Sequence, residues 1–212
     1  MVKLSTSISL RVNSPHLNHN MLDLSKYNFI AGVDEVGRGS ISGPVVAAVV
    51  IMPKDFFDPR IKDSKTIKSL KKREEAEALI KENAIAWGIG AASPQEIDQM
   101  NILQATFLAM KRAIDSCKIV PDFLYVDGDK FPGHEGIDYE CVIKGDSKVP
   151  CISAASILAK VHRDRLMKSI SPEFSHYLWE KNVGYGTPEH ISVIREVGLS
   201  KHHRKTFCQN FI

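Results

Sequence analysis

The 212-residue chain is poor in cysteine: Cys117, Cys141, Cys151 and Cys208 lie far apart, with no C-x-x-C pair. That spacing suits neither a zinc site nor a small disulfide framework. Free thiols in a reducing cytoplasm are the simplest reading. Long apolar runs are also missing, and none approaches the roughly 20 residues of a membrane span, so a cytoplasmic protein off the membrane is expected. There is no internal repeat, no low-complexity block, no G-x-S-x-G elbow and no H-E-x-x-H helix, which removes those nucleophile and zinc signatures. Charge of one sign is not in large excess either. A formal net charge of +3 decides nothing about nucleic acid, so the distribution of charge matters more. Basic residues crowd 62–73, 160–168 and 195–205; such runs read equally well as solvated helix faces and as phosphate-binding surfaces. Residues 1–22 hold Lys3, Arg11, several serines and no acid. Lacking an apolar h-region, they read as a flexible extension rather than a targeting segment.

What is present alternates between strand and helix patterns. "YNFIAGVDE", beginning at Tyr27, reads as a strand. A second β-branched run at 44–52 follows the glycine-rich turn 37–43, giving a hairpin-like pair of buried strands. Residues 68–83, rich in Lys and Glu, read as a helix, and 84–92, where Trp87 and Ile89 alternate with small residues, as a third strand. "SPQE" is a sharp helix start, with Ser93 as the cap, Pro94 first inside and Glu96 three residues after the cap. One helix follows, its apolar positions at Ile102, Leu103, Phe107, Met110 and Ile114 spaced near 3.6. Pro121 opens "DFLYVDGD", a short strand ending in acid; 139–143 is another strand and 150–169 a strong helix. From Pro172 one or two further helices are expected, broken around "GYGTPEH". The order predicts an α/β domain with a mixed sheet flanked by helices. Its parts are a flexible extension 1–26, a core 27–170, and a C-terminal helical segment 171–212 of the same domain.

Acids fall at the strand ends. Asp34 and Glu35 close the first strand, Asp127 ends the fourth and Asp146 follows the fifth. Sites in open α/β sheets form where strands end, so these residues can converge although far apart in sequence. Clustered carboxylates repel one another unless a cation sits among them. With oxygen ligands only, Mg²⁺ or Mn²⁺ is favoured, and two such ions about 4 Å apart clamp a phosphodiester. Asp129 rivals Asp127, but it lies beyond Gly128, whereas Asp127 directly follows the apolar run 123–126. Asp164 rivals Asp146; inside a helix and four residues from Lys160, it suits a local ion pair. "GIGAAS" is a weak dinucleotide signal because its glycines sit in a strand. "DGDKFPGHEG" fails as a calcium loop at Phe131, and His202–His203 reads as a surface pair.

Next to the acids, Gly37 and Gly39 flank Arg38. Glycine lets backbone approach a ligand closely, and backbone held near a sugar can bond a 2′-hydroxyl, the group that separates RNA from DNA. Arg38 would grip the adjacent phosphate in a forked geometry. Ser64 and Lys65, in "DSKTIKS" at a helix start, are natural phosphate contacts. Tyr185, between two glycines, presents a ring that can stack on a base or sugar or pack on the core.

Together these residues resemble the ribonuclease HII family. The stretches that carry the likeness are "GVDEVGRGSISGPVVAAVV", "DSK", "EIDQMNILQATFLAM", "VDGD", "KGDSKVPCISAASILAKVHRDRLM", "GYGTPEH" and "HHRKTF". They occur in the family's order. The resemblance implies a ribonuclease H-like fold with a C-terminal helical segment. It also implies a monomeric, Mg²⁺- or Mn²⁺-dependent endonuclease that cuts the RNA strand of RNA–DNA hybrids and nicks at single ribonucleotides in duplex DNA. It places the four catalytic, metal-holding acids on Asp34, Glu35, Asp127 and Asp146, preferring Asp146 to Asp164. The 2′-hydroxyl reader falls on Gly37, Arg38 and Gly39, and the sugar-stacking ring on Tyr185. Val36, Ser40 and Thr66 depart from the common pattern. Two rival readings remain: a non-catalytic nucleic-acid binder, and a phosphatase of small esters.

Overall fold

The computed structural model describes residues 23–61, 67 and 69–212. The expected extension up to residue 22, and Ser64 and Lys65 of the "DSK" stretch, lie outside the described residues. The strands are β1 (Ile30–Val36), β2 (Val45–Ile51), β3 (Ala86–Ala92), β4 (Phe123–Asp127) and β5 (Asp138–Val142). The helices are α1 (Leu70–Asn83), α2 (Pro94–Met100), α3 (Ile102–Asp115), α4 (Pro150–Ile170), α5 (Trp179–Asn182), α6 (Pro188–Val197) and α7 (Lys205–Cys208).

The sheet runs β3-β2-β1-β4-β5. β1 and β2 form the expected antiparallel pair, β3 continues antiparallel, and β4 and β5 lie parallel to β1. Every residue of β2 is buried, as a mid-sheet strand covered on both faces must be. Period-2 alternation divides the core. Val33, Val45, Ala47, Val49 and Val126 pack on Ala105, Ala109 and Met110 of α3. Val46, Ala48 and Val50 face Ile80 of α1 and Ala155 and Leu158 of α4. α4 can settle on β1 because Gly32 lacks a side chain: a Cβ there would lie 2.1 Å from the Cys151 carbonyl carbon. "GIGAAS" is strand, as expected, and Gly88 and Gly90 accommodate α3, since an added Cβ would meet Ala113 O or Ala109 O at 2.3 Å.

Two expectations need correction. The single helix after "SPQE" is two helices, broken at Asn101, whose φ of 73° no helix accommodates. The Asn101 side chain accepts from the N–H groups of Leu103 and Gln104 and so caps α3. The capping box of α2 is present, with Ser93 and Glu96 exchanging backbone N–H bonds. The tail is also more broken than expected: a 3₁₀ stretch at Ser171–Tyr177, then α5, α6 and α7. Leu178 and Val183, both with positive φ, bracket the four-residue α5.

Candidate active site

Parallel pairing explains why distant acids meet. β1 and β4 are in register up to Val33 against Val126, so the next residues along the two parallel strands, Asp34 and Asp127, lie side by side. β5 pairs Val142 with Asp127, and the chain then turns through Lys144 (φ 56°) into the 3₁₀ turn Gly145–Ser147. The Gly145 N–H donates to Asp127 Oδ1 at 2.6 Å, which brings the backbone just before Asp146 against the Asp127 carboxylate. Asp34 and Asp146 are both buried.

Asp34 points toward α4, where the Ser156 hydroxyl bonds its carboxylate, and its Oδ1 accepts from the Glu35 N–H at 2.7 Å. Burial, and then the charges of Glu35 and Asp127, hold the Asp34 carboxyl well above the usual carboxylate range. Burial also raises Glu35, opposed by Arg38, whose Nη1 lies 3.3 Å from Glu35 Oε1, while Asp127 pushes Glu35 up. Asp34 and Glu35 thus hold their protons more tightly than ordinary carboxyls, burial being the first cause and nearby carboxylates adding to it. Among the described residues, no three acidic, histidine or cysteine side chains stand close enough together to hold a metal ion. The donors at this edge are carboxylate oxygens, the ligand type that hard divalent cations take.

The glycine–arginine–glycine turn follows at once. Gly37 has φ 89°, and a Cβ there would lie 2.2 Å from Arg163 Nε, whereas a Cβ on Gly39 would meet nothing within 4 Å. Gly37 is thus required by the fold, while the space beside Gly39 is open to a ligand. Arg38 is half-exposed, and Tyr185 is 37% exposed, so part of it is open to solvent. The backbone before Tyr185 is tied to this turn: Ile41 and Ser42 both donate their N–H to Gly184 O.

Two arginines build this arrangement, and composition gave no warning of them. Arg204 is fully buried and donates to Gly43 O at 3.0 Å, Arg38 O at 2.9 Å and Gly37 O at 2.7 Å. Arg163, also fully buried, donates to Pro44 O, Val183 O and Ser42 O, and its guanidinium lies 5.6 Å from the centroid of the Tyr185 ring. Burial, and then the Arg163 charge, push Arg204 down to about 9. Both belong to basic runs that read equally as solvated faces; for these two residues the solvated reading fails, because loop carbonyls need a forked donor behind them. The only sequence signal was their place in "KVHRD" and "HHRKTF". His203 is likewise buried, against the expectation of a surface pair. Asp164 does make the expected local pair, with Lys160 at 2.7 Å, and Arg73 joins it at 3.1 Å.

The four cysteines are free, and no helix among the described residues is long and apolar enough to cross a membrane. The family profile of ribonuclease HII matches residues 31–210. A ribonuclease HII from Pelagibacter ubique is 53% identical over 84% of this chain and 95% of its own length. Among solved structures, ribonuclease H2 from Pyrococcus horikoshii OT3 superposes with a TM-score of 0.71 at 26% identity, covering 86% of this chain and 96% of that one. Bst-RNase HIII, a structure in complex with Mn²⁺, shares the fold at a TM-score of 0.62 and 15% identity, over 94% of this chain and 71% of that one. The mixed sheet ending in acids, the glycine–arginine–glycine turn and these likenesses agree: the chain belongs to the ribonuclease HII family and is a hydrolytic endonuclease of the ribonuclease H type, acting on RNA–DNA hybrids.

Proposed function

We propose that the chain also nicks duplex DNA at single embedded ribonucleotides, leaving 3′-hydroxyl and 5′-phosphate ends, and that Asp34, Glu35, Asp127 and Asp146 hold two Mg²⁺ or Mn²⁺ ions. The observation that carries this reading is the meeting of Asp34, Glu35 and Asp127 where β1 and β4 run parallel, at the edge where the glycine–arginine–glycine turn begins. When bound, such ions polarise the phosphate and stabilise the attacking and leaving oxygens. The chain's own residues do the rest. The Ser156 hydroxyl and the Glu35 N–H orient Asp34, and the Gly145 N–H orients Asp127. Backbone at Gly37–Gly39 reads the 2′-hydroxyl, with the unfilled space beside Gly39 admitting the sugar. Arg38 meets the neighbouring phosphate, Ser64 and Lys65 a phosphate further along, and Tyr185 stacks on the sugar. The enzyme works as a cytoplasmic monomer in which 27–170 is the catalytic core and 171–212 completes the substrate surface.

The test is a labelled duplex with one ribonucleotide, incubated with Mg²⁺ or Mn²⁺. A nick on the 5′ side of the ribonucleotide, with the stated ends, is expected. Cleavage of uniform hybrids with no nick at the single ribonucleotide contradicts the proposal.

A further inference from the structure

The tail contains two fully or nearly buried imidazoles, His190 and His203, that the chemistry above does not use. His190 Nε2 and His203 Nε2 lie 3.0 Å apart, and their remaining partners fix where each proton sits. His203 Nδ1 faces the Ser200 N–H and the Ser200 hydroxyl, both at 2.9 Å; the N–H can only donate, so Nδ1 is unprotonated and the proton of His203 is on Nε2. That proton is given to His190 Nε2, whose single lone pair is shared with the longer contact from Trp179 Nε1 at 3.2 Å. His190 must therefore be protonated on Nδ1, and this N–H donates to the Tyr185 carbonyl at 2.8 Å. The chain of donors runs in one direction: Ser200, His203, His190, Tyr185. Burial, and then His190, with His202 and His176 nearby, push His203 down to about 4, and burial lowers His190 too. Both rings are thus neutral near pH 7, as the chain of donors requires.

Both ends of this chain belong to the substrate surface. His203 forms a β-bridge with Ser42, the neighbouring Gly43 N–H donates to His202 O, and the Arg204 N–H donates to Ile41 O. On the other side, His190 holds the peptide of Tyr185 from the first turn of α6.

We propose that His190 and His203 are positioning residues that lock the Tyr185 ring at a fixed place relative to the Gly37–Gly39 turn, so that the ring and the 2′-hydroxyl reader act on one sugar–phosphate unit. This rests on the reading of Tyr185 as the stacking residue. His190→Gln separates positioning from packing. Its amide oxygen can still accept from His203 and Trp179, but it has no donor at the Nδ1 position for the Tyr185 carbonyl. Loss of that bond is expected to raise KM for a single-ribonucleotide duplex about fivefold, the worth of one hydrogen bond, with a smaller effect on kcat. In a Tyr185→Ala background the same change is expected to add nothing. An unchanged KM in His190→Gln, when Tyr185→Ala raises it, overturns the positioning role alone, as does an effect that adds fully to that of Tyr185→Ala. An unchanged KM in Tyr185→Ala overturns the stacking reading and the positioning role with it. Should His190→Gln fail to fold, ¹⁵N NMR of the wild-type imidazoles at neutral pH decides: a proton on Nδ1 of His190 and on Nε2 of His203 is expected, and a proton on Nε2 of His190 contradicts the proposal.

Discussion

Asp34 lies where function and stability oppose each other. Its carboxyl is raised above its ordinary value of 3.8 by burial and by its acidic neighbours. In the metal-free protein the folded state therefore binds this proton more tightly than the unfolded state. Stability falls as pH rises from 3.8 through the raised value, because there the unfolded state holds fewer protons. Asp34→Asn removes the charge while its amide oxygen can still accept from the Glu35 N–H. At neutral pH, metal-free Asp34→Asn is expected to melt higher than the wild type and to lose much of the rise in Tm that Mn²⁺ gives the wild type, while kcat falls by about 10²-fold or more. Differential scanning calorimetry with and without metal, beside a cleavage assay, checks both signs. Asp34 and Asp127 were legible as neighbours because each directly follows an apolar run that forms a strand, and parallel pairing sets those strands side by side; only the family resemblance prefers Asp146 to Asp164. Arg163 and Arg204 were not legible, because a buried arginine and a solvated one look alike in a charge run; only the tertiary path of the 37–44 loop shows that its carbonyls need donors.

At the scale of elements, strands were easier to read than helix breaks. The β-branched run 44–52 and the alternation around Trp87 stand out by period and composition, and they form β2 and β3. The break between α2 and α3 depends on one residue in a left-handed conformation, and the apolar spacing continues across it, so periodicity reports a single helix. Asn101 serves both helices: its N–H closes α2 on Ile97 O and its side chain caps α3. Asn101→Ala loses the cap and puts a residue less tolerant of positive φ than asparagine at φ 73°, and is expected to cost about 1–2 kcal/mol, against a few tenths for Asn101→Gly. Urea unfolding shows this as a lower midpoint at unchanged m. The short helices of the tail were hard to bound because Leu178 and Val183 reach positive φ without being glycine, so nothing in composition marks those turns.

For the whole molecule, the fold class followed from the order of strands and helices, while the joining of tail to core did not. The tail acts through Arg204, His203 and Gly184 on a loop at the other end of the chain, and contacts at that sequence separation have no local signature. A net charge of +3 gives little overall attraction, so on the proposed function affinity depends on where Lys and Arg meet phosphates. Affinity is therefore expected to fall with salt, at a log–log slope of about −0.9 for each phosphate contacted. Arg38→Ala should make that slope shallower by about one, as fluorescence anisotropy across a salt series can measure. The central claim is that Asp34, Glu35, Asp127 and Asp146 together hold the catalytic ions beside the ribonucleotide. Anomalous scattering from Mn²⁺ in crystals grown with a ribonucleotide-containing duplex tests it most directly: the expected result is two peaks ligated by these carboxylates and the phosphate at the ribonucleotide, and Mn²⁺ bound away from them, with cleavage intact, contradicts it.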